Sequence, residues 1–369
     1  MSDKCFVCAT PYQINAAIAI SSEYADKSDM YILPDFTHAE EYANRVLDLG
    51  VFSNVYLVDS MKYESYRRSK NKLIYGFGFF FNYLRINKIV KDIVGDADYK
   101  RIYISTHHNI GKFICLYFLK CGAEVIYYDD GEGSYDNHRV YEAFGIEKIV
   151  RTLLFGKQSV GLSKKRILYC PELFIDRFGD SYAVSAIPNW ANDIGLLKKI
   201  DHVCGYTDLA RIDHRFVLLD TIPSEDFNQN GQVVYEELVK TCVDFWGNKL
   251  LIKKHPRDHR KQDYQCDVYR YSEIPFEVIC ANSDINNKVL ISSGSKEVFT
   301  PKLLFDLEPT IILLNQIIGE TVEKVDRDSV VSFLKNKYHD KSKIIIPKTI
   351  DELIDVIRSL IWECRFLTI

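Results

Sequence analysis

The chain has 369 residues, 47% of them hydrophobic and 27% charged, with a formal net charge of −4. That length exceeds one ordinary α/β unit and suits two domains of about 150 to 200 residues each, and the slightly acidic balance argues against a general nucleic-acid partner. No run approaches the ~20 apolar residues needed to cross a bilayer, and the opening Asp3-Lys4, followed by a short apolar stretch broken at Thr10, Pro11, Gln13 and Asn15, does not read as a signal peptide. A soluble, cytoplasmic protein is expected.

Short apolar runs alternate with helical patterns, the signature of βα units and parallel sheets. Cys5–Thr10 reads as a first strand, and Pro11 opens a helix through Ile20, as proline favours a first turn. Further strands are predicted at Met30–Leu33, Val55–Val58, Arg101–Ser105 and Glu124–Tyr128, with a helix over about 38–50. The stretch 155–213, rich in Gly, Pro and mixed charge, reads as inter-domain connection, with the domains set at 1–185 and 214–369 and the connection proper at 186–213. A second series follows, with strands at Phe216–Leu219, Leu250–Lys253, Val289–Ser292, Thr310–Leu314 and Ile344–Ile346. Helices are predicted over about 231–246, 295–306 and 350–362. Thr349 with Glu352 makes a capping box for the last. Two Rossmann-like halves facing a cleft, with ligands at the carboxyl ends of the strands, is the architecture this alternation implies.

The ten cysteines are scattered, several inside strand-like or helical runs. Cys5 and Cys8 have C-x-x-C spacing but no second ligand pair downstream, so buried core thiols are expected rather than a zinc or redox site. Nothing suggests a disulfide framework.

Three elements fall at predicted strand ends. Asp129-Asp130-Gly131 puts two carboxylates on a glycine turn; like charges that close raise one pKa, which suits a general base. Without function the same residues are an acidic turn. Lys253-Lys254-His255-Pro256-Arg257 gathers cations and a histidine fit to hold a phosphate, or forms an exposed basic loop. Ser292-Ser293-Gly294-Ser295 leads into a helix start, a generic anion site, or supplies an ordinary N-cap. Glu277 between them suits ribose hydroxyls, or is a solvated residue at a helix start. Thr10, Pro11 and Gln13, together with His107, His108 and Asn109, follow strands and are placed as cleft-lining residues. The adjacent histidines diverge on any regular element, so a metal site is not expected.

The order D-D-G, H-P, S-S resembles the bacterial sialyltransferases. The opening C-A-T-P-Y-Q-I-N-A-A and the length look most like glycosyltransferase family 52, which includes lipooligosaccharide and capsule sialyltransferases. The resemblance implies a GT-B fold and inverting transfer of sialic acid from CMP-sialic acid to a terminal galactose of a surface glycan, with no metal and no cofactor beyond the donor. It places the base at Asp130 or Asp129, with Asp220 in reserve. It also places His255 and Arg257 on the donor phosphate, with Lys254 or Lys253 adding charge, Ser292 and Ser293 with the following turn on that phosphate, and Glu277 on the ribose. Since some family members use UDP-sugars, a UDP-N-acetylhexosamine or UDP-hexose donor is the alternative. Other readings are a glycerophosphate transferase and a non-catalytic nucleotide- or glycan-binding protein. A dehydrogenase is disfavoured because no G-x-G-x-x-G follows the first strand.

Lys62–Phe81 combines Arg67, Arg68 and Lys70 with Tyr75, Phe77 and Phe79–Phe81. It reads either as a surface for an anionic membrane carrying lipid-linked acceptors, or as a charged loop before a buried or homodimer-forming aromatic helix.

Overall fold

A first strand of pure core residues, β1 (Lys4–Cys8), is buried along its whole length, as befits a parallel strand with helices on both faces. In the computed structural model, which describes residues 2–24, 27–64, 78, 80–105, 108–131, 133–136, 142–255, 258, 260, 264–293, 295–319 and 324–366, it sits in a seven-stranded parallel sheet. Its neighbours are β2 (Ser28–Ile32), β3 (Phe52–Leu57), β4 (Arg101–Ile104), β5 (Glu124–Tyr128), β6 (Lys165–Leu168) and β7 (Ala183–Ala186), in the order β3-β2-β1-β4-β5-β6-β7. The second sheet comprises β8 (Phe216–Leu219), β9 (Leu250–Lys253), β10 (Asp267–Val268), β11 (Val289–Ser292), β12 (Thr310–Leu313) and β13 (Ile344–Ile345). Its order is β10-β9-β8-β11-β12-β13. Each sheet therefore has the 3-2-1-4-5-6 winding, with a switch point between β1 and β4 in one and between β8 and β11 in the other.

The chain divides into two compact units, Met1–Gly205 and Tyr206–Ile369. The first is centred on β1, where Phe6 stacks on Tyr103 with ring centroids 4.3 Å apart. The second packs β8, β9, β11 and β12 against the helices Gln229–Trp246 and Ile350–Phe366, with Phe216 stacked on Trp246 at 4.5 Å. Fully buried Leu218, Leu238, Ile252, Ile291 and Ile312 each contribute roughly 1.5–3 kcal/mol through burial. Half of the predicted capping box is present: Thr349 Oγ1 accepts from Glu352 N at 3.2 Å, while Glu352 Oε2 accepts from Lys348 N at 2.7 Å, one residue before the cap.

The stretch 155–213 is not a connection, and residues 186–205 within it belong to the first unit. It carries β6, β7 and the helix Ile194–Cys204. β6 escapes a periodicity reading because its inward position is Arg166, held over the rings of Tyr127, Phe174 and Tyr182 at 4.7, 5.0 and 5.0 Å. β7 is a short edge strand and mostly exposed. Asp193 caps the helix Ile194–Cys204 through Gly195 N and Leu196 N, and Gly205 ends it in the left-handed region at φ 65°. Cys204 Sγ donates to Asn15 Oδ1 at 3.3 Å and Arg45 Nη1 to the Val203 carbonyl at 3.3 Å, so this helix is fastened to the first unit. Residues 206–213, by contrast, belong to the second: Tyr269 OH donates to the Ala210 carbonyl at 2.6 Å. The predicted helix over 295–306 is a 3-10 turn, Lys296–Phe299, running into an α-helix, Thr300–Phe305.

Candidate functional site

In the first unit the carboxyl edge of the sheet is organised by one turn. β1 ends at Cys8, and Thr10 caps the next helix by accepting from Gln13 N at 3.3 Å, with Pro11 in the first helical position. Gln13 Oε1 accepts from Ala9 N at 2.6 Å. The amide is thereby oriented with its NH2 outward, and Nε2 donates to Asp130 Oδ1 at 2.5 Å. β5 ends at Tyr128, and the chain turns at Gly131 with φ +86°, a conformation that favours glycine. Ser134 Oγ accepts from Asp130 N at 2.7 Å, and Ser105, just past β4, donates to the Asp129 carbonyl at 2.8 Å. Thr10, Pro11, Gln13 and the acidic pair thus meet at one edge, beside the switch point.

The two aspartates differ in their surroundings. Asp129 is fully buried and its oxygens accept from Tyr12 OH at 3.1 Å, Gly131 N at 2.7 Å, Tyr169 N at 3.0 Å and the Tyr135 hydroxyl. Burial pushes its pKa up, and these four donors pull against that. Asp130 is half-buried. Burial, then the charge of Asp129, raise its pKa to about 7, while Gln13 opposes them. A carboxyl group that titrates near neutrality on a sheet edge can take a proton from a hydroxyl. Asp129 is built to hold its surroundings in place. Its tyrosine partners lay beyond sequence reasoning, although Tyr12 stands within the T-P-Y-Q turn itself.

Asn109 opens the helix Asn109–Lys120, and His107 lies outside the described residues. His108 is buried at the helix cap. Its Nδ1 lies 3.1 Å from Glu64 Oε2 and 3.3 Å from Ile110 N, and its Nε2 lies 3.5 Å from Asp35 Oδ2. The two carboxylates meet different ring nitrogens, so this is not a shared metal site. Among the described residues no group of three or more His, Cys, Asp or Glu is arranged to hold a metal ion. Cys5 and Cys8 are buried and unpaired, and burial pushes the Cys8 thiol up to about 12.

At the carboxyl edge of the second sheet the register aligns four chain positions. Lys253, Leu219, Ser292 and Leu313 pair across β9, β8, β11 and β12. Lys254, Asp220, Ser293 and Leu314 follow immediately, with Asn315 next. The charged members are engaged internally. Lys253 Nζ lies 3.0 Å from Glu297 Oε2, and Lys254 Nζ donates to the Arg260 carbonyl at 2.6 Å. Asp220 accepts from Thr221 N at 2.8 Å, Tyr264 OH at 2.9 Å, Arg260 Nη2 at 3.2 Å and the Tyr235 hydroxyl. Asp220 is therefore a structural hub, and Lys254 points into its own loop. His255 is half-buried at the end of β9, and Pro256 and Arg257 lie outside the described residues. Glu277 is buried in the first turn of the helix Phe276–Asn282.

Ser292 Oγ donates to the Ser295 carbonyl at 3.1 Å; Gly294 lies outside the described residues. Ser293 Oγ and Asn315 Oδ1 are both buried without a hydrogen-bond partner among the described residues. A buried polar atom left unsatisfied costs about 1–3 kcal/mol, so two on neighbouring strand ends call for a polar partner from outside the chain, water or ligand. Asn315 has no sequence motif; only the strand order brings it beside the serine turn.

Two wound α/β units in one chain define a fold of the GT-B type. No protein-family model matches the sequence, and no curated protein matches it. Solved structures do. The UDP-GlcNAc 2-epimerase of Methanocaldococcus jannaschii, in complex with UDP-GlcNAc and UDP, superposes with a TM-score of 0.55 at 11% identity, covering 96% of this chain and 91% of that one. The Neisseria meningitidis UDP-GlcNAc 2-epimerase bound to UDP-GlcNAc gives 0.50 at 12% identity, covering 97% and 99%. A Listeria monocytogenes protein described as a UDP-N-acetylglucosamine 2-epimerase gives 0.51 at 10%, covering 93% and 89%. At these identities the likeness establishes the fold. The narrower resemblance to glycosyltransferase family 52 rests on motif order, the opening segment and the length alone.

Proposed function

We propose that the chain is a nucleotide-sugar-dependent glycosyltransferase in which Asp130 is the general base. The observation that carries this reading is the Asp130 carboxyl itself: half-buried at a sheet edge, oriented by Gln13 at 2.5 Å and raised to about 7 beside a second, structural carboxylate. In this reading Asp130 takes the proton from an acceptor hydroxyl as the bond to the sugar forms. On the second unit the unpartnered Ser293 Oγ and Asn315 Oδ1 receive polar groups of the nucleotide, Glu277 meets the ribose, and His255, with Arg257, stabilises the departing phosphate. No step in this scheme calls for a metal.

The motif order favours CMP-sialic acid as donor and galactose of a bacterial surface glycan as acceptor. A UDP-sugar donor is the second reading, favoured by the UDP-GlcNAc held by structures of the same fold. Calorimetric titration with CMP, CDP, UDP and GDP, without metal, tests both. Binding of CMP alone supports a sialic acid donor, preference for UDP supports a UDP-sugar, and binding of none would sink the enzyme reading in favour of a non-catalytic role.

A further inference from the structure

The winding of the first sheet sends the crossovers β3→β4, β4→β5 and β5→β6 in one direction, so their helices cover the same face. The helices Ile86–Val94 and Gly145–Phe155 both pack on Asn109–Lys120 between them. Glu147 ties the layer together, accepting from Tyr83 OH at 2.7 Å and Arg151 Nη2 at 2.6 Å and lying 3.6 Å from Lys112 Nζ. The outer surface of this layer is not that of an ordinary solvated helix. Leu153 is 79% exposed, Ile149 61%, Leu84 57% and Phe81 56%. Ile149 and Leu153 are one helical turn apart on a single stripe, with Lys148 beside them.

A groove of about 650 Å³ opens between the helices Ile86–Val94 and Asn109–Lys120, lined by Lys88, Lys91 and Lys120 with Asp92 as its one carboxylate. None of Lys88, Lys91, Lys120 and Lys148 makes an ion pair among the described residues. Lys120 lies over the Phe155 ring at 5.9 Å and Arg85 over Phe81 at 5.3 Å, so cations and apolar side chains are interleaved across the layer. Lone exposed apolar residues need no explanation, but a patch of them rimmed by polar side chains, here mostly cationic, marks a binding surface.

We infer that this helical layer docks on an anionic lipid bilayer. The apolar side chains enter the interfacial region, and the lysine groove and its flanking cations meet lipid phosphates. The charge selects the occupant: an excess of uncompensated lysines around bulky apolar groups complements an anionic interface, whereas a second copy would set lysine against lysine unless offset. This surface shares only Phe81 with Lys62–Phe81, of which residues 65–77 and 79 lie outside the described residues. It is also independent of the reading of Asp130.

Co-sedimentation of the full chain with vesicles tests the inference, comparing phosphatidylcholine alone with phosphatidylcholine mixed with phosphatidylglycerol. Binding is expected only to the anionic vesicles and to fall in high salt. Each lysine near the surface accounts for about fivefold in partitioning, so the double variant K88E/K91E should lose roughly twentyfold or more, and Leu153→Glu on the apolar stripe about tenfold. All three positions are exposed, so melting temperatures should not move. Absence of binding to anionic vesicles overturns the inference, as does binding that either variant retains in full. A dimer in sedimentation velocity that Leu153→Glu dissociates, with no vesicle binding, would assign the face to a second copy instead.

Discussion

The carboxyl edges of the two sheets share one winding order and use it in opposite ways. In the first, the edge presents a carboxyl group, Asp130, whose proton affinity is tuned by burial and by Asp129, while hydroxyls and backbone N–H groups are consumed in fixing that neighbour. In the second, the charges are neutralised within the protein: Lys253 by Glu297, and Asp220 by Arg260 and two tyrosines. Among the described residues, what remains unsatisfied there is neutral, Ser293 Oγ and Asn315 Oδ1. The first edge is suited to moving a proton and the second to receiving a polar ligand. Topology locates a site, and the chemistry is decided by which side chains are left over after the structure has satisfied itself.

The largest test of this contrast is Asp130→Asn, expected to lower kcat by about a thousandfold, within the range of general-base contributions, with nucleotide affinity unchanged by calorimetry. Equal loss of affinity would remove the division between the two edges. Asp129→Ala should act on the fold instead. It strands two tyrosine hydroxyls and two backbone N–H groups, and a loss of about 3 kcal/mol in denaturant unfolding is expected. Unchanged stability would show that Asp129 is not the structural member of the pair.

Ser293→Ala separates ligand binding from packing. Because the hydroxyl has no partner among the described residues, the free protein should lose no stability, while nucleotide affinity falls about fivefold to tenfold. A destabilised variant with unaltered affinity would assign the serine to the fold. The smallest effect concerns pH. With Asp130 raised from its ordinary range to about 7, kcat/KM should climb as pH rises through about 7. The stability linked to that group has the opposite sign: it is full below about pH 4 and declines as pH rises toward 7, because the folded state binds the proton more tightly. Gln13→Leu removes a donor that stabilises the ionised form and should shift the kinetic limb upward. A limb unmoved in this variant and in Asp130→Asn would place the titrating group elsewhere.

Sequence alone determined most of the element series, because buried parallel strands are continuous apolar runs and the helices between them have periodic faces and caps. It located the acidic pair, the serine turn and the Thr349 helix cap for the same local reason: each is a short segment whose chemistry is written in adjacent residues. It failed at β6, where a guanidinium shelved on three aromatic rings occupies an inward position, and so it mistook part of the first unit for a linker. Tertiary structure alone decided which aspartate faces the solvent edge, that Lys254 is spent on its own loop and Asp220 on Arg260 and two tyrosines, and that Asn315 stands beside Ser293. Those outcomes depend on burial and on partners 6 to 117 residues away in the chain, and no local pattern encodes a side chain's desolvation or the identity of its neighbours in space.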